Sequence, residues 1–347
     1  MNPTATIVYW YDSESMPRDG GGLRVLAWKE ALRSLGYSVE IKGLNPRGPS
    51  SSRRPSLLTK AKRTLAPMPL SRVLPPLRTS NLYVMTVPIV FKAAEQVIAR
   101  EALIFDWMDL WSVNSRTMGA SSFLSVPGGL TQSAIWKRRE RQLPAKARFN
   151  TVAGYGDLTA IGRNAKAAWL PTPTHTFSSR SHERGPIQRV GFLGNLGYEP
   201  NEMSLRKFFR DFGHLLGENR LEIVVAGFGS ERVRTWGVPA TVLGSLDNLD
   251  SFYESIDAVI VPIDHGGGIK VKAVEALARG LTVFGTDHVR SGFSPDFGPW
   301  IRNIEELFQA GPIDTAIAGK ELGHFRLVSR FSQGAFTSSV DEILGRW

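Results

Sequence analysis

Residues 257–286 read DAVIVPIDHGGGIKVKAVEALARGLTVFGT, and the fold is decided there. A short apolar run over 258–261 is closed by Pro262, and a polar, glycine-dense turn follows at Asp264-His265-Gly266-Gly267-Gly268. Ile269, Val271, Val274, Leu277 and Ala278 then recur at mostly helical spacing until Gly280, and 281–284 is continuously apolar again. Strand, glycine loop, helix and strand in that order are the sequence form of a parallel α/β layer.

The chemistry this unit suggests is anion binding. Backbone N–H groups at the start of a helix, with no Cβ in the way, admit a phosphate, and the helix dipole favours its charge. Lys270 and Lys272 stand in the first turn, an unfavourable place for cations unless an anion normally accompanies them. Glu275, further along the same helix, offers a carboxylate to hydroxyl groups. The competing reading is a plain glycine turn with two solvated lysines.

On these residues the segment resembles the donor-binding motif of GT-B glycosyltransferases, in particular the large retaining family with a Glu–seven residues–Glu signature. Glu275 matches the second Glu, which in that family holds the ribose hydroxyls of the nucleotide. The first would fall on Gly267 and is absent. The sequence follows instead the branch reading GxGxKxKxxEA, at Gly266, Gly268, Lys270, Lys272, Glu275 and Ala276. The resemblance covers most of 187–286 and the amino-terminal half in outline. It implies an α/β GT-B fold, two Rossmann-like domains whose parallel sheets face a central cleft. It also implies a donor site that includes Gly267, Gly268, Ile269, Lys270, Lys272 and Glu275. His265, before the loop, is a candidate to face the donor sugar, the competing reading being a solvated loop histidine.

The composition fits this. At 347 residues with 42% hydrophobic content the chain has room for two α/β domains with real cores. It contains no run of 18 apolar residues and no basic segment ahead of an apolar one at its start, so neither a spanning helix nor a signal peptide is expected. With no cysteine, thiol catalysis, disulfides and Cys-ligated zinc are excluded. The net charge of +10 is uneven: between Ile41 and Ala94 there is no Asp or Glu among ten Lys and Arg, and a second basic cluster runs over 136–141, followed by Lys146 and Arg148. Such asymmetry points to an anionic partner, whether a membrane surface, a phosphorylated substrate or a nucleic acid. The expected location is the cytoplasm, with attachment to the inner face of the plasma membrane left open.

In chain order, 5–11 reads as a buried strand leading to Gly20-Gly21-Gly22, then a helix over 23–35 and a strand over 39–41. The loop lacks the GxGxxG arrangement of a dinucleotide site. In GT-B enzymes the equivalent loop lies near the donor phosphate, a role the resemblance gives to Gly21 and Gly22. Residues 45–80, rich in Pro, Ser and Arg, read as an exposed segment with a short amphipathic helix over 57–65. Its leucines alternate with bases over Arg53–Arg78, which suits an anionic bilayer as well as a solvated insertion. A strand over 82–87, a helix over 89–100 and a strand over 102–105 deliver Asp106 and Asp109 among aromatic residues. These are the acid/base candidates, because ligand groups gather at strand carboxyl ends and apolar surroundings raise a carboxylate's pKa. Asp109 is preferred for the chemistry, since Asp106 also reads as a helix cap.

A basic helix over 129–143 and a strand over 150–153 complete a first domain, 1–173, that binds the acceptor. A linker, 174–186, leads to the nucleotide-sugar domain, 187–332, and a terminal helix near 333–347 returns to the first domain, with Phe336 and Trp347 as anchors. In the second domain, strands over 188–193, 221–226 and 242–244 end at Gly194-Asn195, Gly227 and Gly244, and relatives place these loops beside the diphosphate and the base. A helix over 201–216 follows the first of these loops.

The function expected is transfer of a sugar from a nucleoside diphosphate sugar of the UDP or GDP type to an acceptor hydroxyl on a lipid-linked molecule, glycan or natural product. The pattern at 106–109 is DxxD rather than Asp-x-Asp, so no metal and no cofactor are expected; the leaving diphosphate would be held by backbone N–H groups and lysines. Whether the reaction inverts or retains is open. The alternatives are a sugar-nucleotide epimerase of the same fold and a basic nucleic-acid- or membrane-binding protein without catalysis.

Overall fold

A computed structural model of the chain describes residues 2–17, 19–44, 80–119, 126–161, 165–175, 187–309 and 321–345. The segment 45–79, most of the linker and Trp347 lie outside these residues, and with them the expected amphipathic helix over 57–65. Two compact units emerge. One comprises Met1–Pro173, Gly266–Ile269 and Gln333–Trp347, the other Thr174–His265 and Lys270–Ser332.

The first unit is built on a parallel sheet of β1 (Thr4–Tyr9), β2 (Ser38–Gly43), β3 (Leu82–Met85), β4 (Leu103–Trp107), β5 (Phe149–Val152) and β6 (Ala167–Trp169), in the order β2-β1-β3-β4-β5-β6. Its central strands are buried along their whole length and apolar but for Asp106 in β4, as strands covered on both faces must largely be. The sequence order reverses between β1 and β3, which opens a crevice at their carboxyl ends. Helix α1 (Gly20–Ser34) begins earlier than its apolar period suggests, because Asp19 caps it and accepts from Gly22 N at 2.9 Å.

The expected helix over 89–100 is instead a 3-10 turn, Pro88–Val90, followed by α2 (Phe91–Val97). It stops where Ile98 turns extended and enters the core. Helix α3 (Trp111–Gly119) was given no bounds by the sequence, since Ser, Val, Asn, Thr and Gly among its residues are weak helix formers. The basic helix α4 spans Val126–Gln142.

The second unit has strands β7 (Arg189–Leu193), β8 (Glu222–Ala226), β9 (Ala240–Gly244), β10 (Ala258–Val261), β11 (Thr282–Gly285) and β12 (Ile301–Asn303), all parallel, in the order β12-β11-β10-β7-β8-β9. This is the doubly wound order, with its reversal between β7 and β10. Helix α5 (Glu199–Glu218) buries Leu205, Phe208, Phe209 and Leu216 along one stripe against β7, β8 and β10, and Glu199 and Glu202 in its first turn suit the dipole. Shorter helices α6 (Asp250–Glu254), α7 (Val271–Ala278), α8 (Asp287–Ser291) and α9 (Glu321–Phe331) follow. The helix expected near 304–310 is a 3-10 turn, Ile304–Phe308, held by a capping box between Asn303 and Glu306.

The chain ends in α10 (Gln333–Gly345), which belongs to the first unit. Phe336 meets Trp28 of α1 edge-on at 5.5 Å, and Gln333 Nε2 donates to Ala27 O at 3.0 Å.

Candidate active site

Two loops leave the second unit's sheet where its order reverses, after β7 and after β10, and residues Gly266–Ile269 of the latter belong to the first unit. The first is fixed by backbone contacts. Gly194 N donates to Ala226 O at 3.0 Å and Gly227 N to Gly244 O at 2.8 Å. Gly227 has φ +115°, and a Cβ there would stand 2.3 Å from Gly194 O, so only glycine lets these loops close on one another. Asn195 Oδ1 accepts from Gly197 N at 2.8 Å, and Asn201 Nδ2 donates to Asn195 O at 2.9 Å.

Helix α7 delivers Lys272 to this loop. Its Nζ lies 5.0 Å from the centre of the Phe192 ring and 3.4 Å from Asn201 Oδ1, and a Cβ on Gly194 would approach it to 3.1 Å. Among the described residues no carboxylate comes within ion-pair distance of it. Burial, with Lys270 adding to it, pulls its pKa down to about 8, against the attraction of Glu275. An ammonium in that position is short of negative charge.

One turn further on, Glu275 Oε2 accepts from Tyr253 Oη at 3.3 Å. The Arg279 guanidinium lies 4.3 Å over the Tyr253 ring and 3.3 Å from Asp250. Burial raises the Glu275 pKa, opposed by Arg279, Tyr253 and Lys272. Glu275 Oε1 has no hydrogen-bond partner among the described residues, so the carboxylate retains room for hydroxyl donors. His265 is tied to Asp264, Nδ1 to Oδ1 at 2.8 Å, and Asp264 also pairs with Lys207.

In the first unit the two aspartates part company. Asp106 is completely buried: Arg24 contacts both its oxygens, at 2.6 and 2.8 Å, while Trp28 Nε1 and Thr151 Oγ1 donate to it at 3.0 and 2.6 Å. It neither caps a helix nor meets solvent, so the acid/base role expected of it does not fit and it serves as a core ion pair. Asp109, partly exposed, lies against the glycine loop. A Cβ on Gly267 would stand 2.9 Å from Asp109 Cα, and one on Gly268, whose φ is +67°, 2.3 Å from Met108 O. Gly268 N donates to Asp157 Oδ2 at 3.2 Å.

These glycines therefore answer first to a close backbone approach, and at least one N–H expected to hold phosphate is engaged. Gly21 and Gly22 differ from expectation in the same way. Cβ atoms there would meet Tyr9 Oη at 2.4 Å and Pro17 O at 1.9 Å, and the Asp19 carboxylate already occupies the amino end of α1.

Residues 187–296 match the family model described as glycosyl transferases group 1. These residues form a glycosyl transferase group 1 domain, in a chain whose two parallel sheets have the GT-B fold. Sucrose-phosphate synthase from Thermosynechococcus elongatus superposes with a TM-score of 0.66 at 14% identity, over 99% of this chain and 98% of that one. Trehalose 6-phosphate synthase from Burkholderia multivorans does so with 0.62 at 12%, over 100% and 97%. Anabaena HepE, solved with UDP and glucose, gives 0.59 at 13%, over 99% of both chains. No curated protein sequence matches. The domain and the fold favour neither the epimerase nor the non-catalytic reading.

Sequence reasoning did not single out Tyr253, Asp157 or Phe192, because each acts on a residue far away in the chain. The basic cluster after residue 136 has its own place: with Lys92 of α2, residues Arg138, Arg139, Arg141 and Lys146 line a groove of about 740 Å³. No described helix is long and apolar enough to cross a membrane.

Proposed function

We propose that the enzyme transfers a sugar from a nucleoside diphosphate sugar, with UDP as the leading nucleotide, to an acceptor hydroxyl held by the first unit. The observation that carries this is Lys272, an ammonium without a counter-ion among the described residues, beside the Gly194–Gly197 loop and inside the segment that matches the glycosyl transferase model. A diphosphate supplies the missing charge. Lys270 and backbone donors of the loops around Gly194, Gly227 and Gly244 complete its surroundings. Glu275, poised by Tyr253, accepts the ribose hydroxyls. UDP is favoured over GDP because HepE, of the same fold, is solved with UDP.

The chemistry needed is departure of UDP. Cations and fixed dipoles aimed at the leaving diphosphate lower that barrier without any proton transfer to it. Asp109, partly exposed beyond the end of β4, is the carboxylate we assign to the acceptor hydroxyl. It deprotonates that hydroxyl if configuration inverts and positions it if configuration is retained.

Isothermal titration with UDP and GDP tests the reading. UDP binds the wild type, and Glu275→Ala and Lys272→Ala weaken it. Absence of UDP and GDP binding, or binding indifferent to both substitutions, refutes the assignment. The cationic groove of α2 and α4 supports a second contact, with anionic lipid. Flotation with phosphatidylglycerol vesicles that persists in an Arg138→Glu, Arg141→Glu variant would exclude this groove as the contact.

A further inference from the structure

Trp10 follows β1 and Trp111 opens α3 just after β4, so both stand at the carboxyl edge of the first unit's sheet, where ligands of open α/β sheets collect. Their indole planes are nearly parallel, 10° apart with centroids at 6.3 Å, and both side chains are partly exposed. The pair is braced from behind. Trp111 meets the buried Trp136 at 4.7 Å and 65°, and Arg139 lies 4.8 Å over Trp136. The carboxylate of the buried Glu140 accepts from Ser112 N at 2.9 Å and Ser112 Oγ at 2.5 Å, so it caps the helix that Trp111 begins. Ser133 Oγ donates to Ser112 O at 2.7 Å. Holding a carboxylate in that interior carries a desolvation cost, and the cost is hard to explain unless the position of Trp111 matters.

Hydroxyl acceptors adjoin the same edge. The Tyr9 phenol feels the charges of Asp19 and Asp109, and its ring meets Tyr11 edge-on at 6.0 Å. Asp19 is exposed and Asp109 partly so.

Resting on the transfer reading above, we propose that Trp10 and Trp111 form the acceptor platform, and that the acceptor end they hold is a pyranose ring, that of a saccharide or glycoside. A pyranose presents a face of C–H bonds to an indole and a rim of hydroxyls to carboxylates, and this edge offers both. A flat phenolic acceptor would match the rings but brings fewer hydroxyls than a pyranose and sets its apolar ring edge against Asp19 and Asp109, which costs their hydration. A lipid tail would use neither the planes nor the charges.

Saturation-transfer NMR on the full chain with UDP present, using methyl glucosides, galactosides and N-acetylglucosaminides as probes and catechol as the phenolic control, tests this. At least one glycoside receives saturation at its ring C–H groups. Its affinity falls about tenfold or more in Trp111→Ala and Trp10→Ala and is retained in large part by Trp111→Tyr, one such aromatic contact being worth up to ~1.5 kcal/mol beyond its area. UDP affinity, read by titration, is the same in all these proteins and in Glu140→Gln, which weakens the glycoside by loosening Trp111 and carries the test if an alanine variant fails to fold. Binding of catechol alone, silence of every glycoside, or glycoside binding unchanged in the alanine variants overturns the proposal. A wild type that binds a glycoside through these tryptophans but no nucleotide would instead sink the transfer reading and leave the platform standing.

Discussion

Lys272→Met separates what the residue does for the fold from what it does for the donor. An ordinary lysine holds its proton to about pH 10.4, whereas Lys272 releases it near 8 because burial and Lys270 oppose the charge and Glu275 only partly restores it. Keeping the ammonium charged at neutral pH therefore costs the free enzyme about 3 kcal/mol. Below pH 8 both folded and unfolded chains carry the proton and the cost is present in full. Between 8 and about 10.4 the unfolded chain binds more protons, so stability rises with pH in that window as the charge is lost.

A methionine of similar length removes the penalty, and the melting temperature of the nucleotide-free enzyme should rise by several degrees at pH 7. If, as proposed, the bound diphosphate meets that same ammonium, UDP affinity should fall by up to about 100-fold, the equivalent of ~3 kcal/mol. The wild type should itself bind UDP more weakly as pH rises above 8. Calorimetry at pH 9 in two buffers of different ionisation enthalpy should show uptake of a fraction of a proton on UDP binding by the wild type and none by the variant. A variant that melts lower and binds UDP as before, or equal proton uptake by both proteins, would refute the reasoning.

Three further outcomes are expected. Asp106→Asn should destabilise the first unit by about 3–5 kcal/mol by leaving the buried Arg24 uncompensated, whereas Arg24→Met with Asp106→Leu should cost much less; urea denaturation of single and double variants decides this. Tyr253→Phe should lower UDP affinity by about 1 kcal/mol, roughly fivefold, because Glu275 loses the donor that orients it. Titration with UDP and with 2′-deoxy-UDP should show a smaller preference for the ribose in the variant. Gly268→Ala should abolish turnover while leaving most of the UDP affinity, since the new Cβ collides with Met108 O and disturbs the segment carrying Asp109; sugar release and UDP titration on one preparation check it.

The strands, the glycine loop and α7 were legible because their apolar runs and breaks are local. The partners of the charged groups were not. Asp106 and Asp109 form one DxxD pattern, yet Asp106 lies within β4 and turns into the core toward Arg24, 82 residues away, while Asp109 lies beyond the strand's end. Lys270 and Lys272 look equivalent in sequence. Lys270 caps α7 in an extended conformation while Lys272 lies in its first turn, and only tertiary packing tells which enters the Phe192–Asn201 corner. Tyr253 and Glu275 are 22 residues apart. The platform tryptophans were visible as aromatic residues but not as a pair, because parallel strands bring Trp10 and Trp111 together across an intervening strand.

Local pattern was least sufficient at the glycine loop. Three glycines before a helix read as an opening for phosphate, but two of the Cβ positions are taken by the backbone of Met108, Asp109 and Leu110, and the Gly268 N–H is given to Asp157. A loop so tightly held cannot adjust to a ligand. It can, however, fix the position of Asp109 within the first unit. On the proposed reading the division of labour differs from a phosphate cradle: the cation in α7 carries donor affinity, and the glycines carry the placement of the first unit's carboxylate. Substitutions at 267 and 268 should therefore act on turnover and those at 272 on nucleotide binding, a separation that a simple anion-binding loop would not produce.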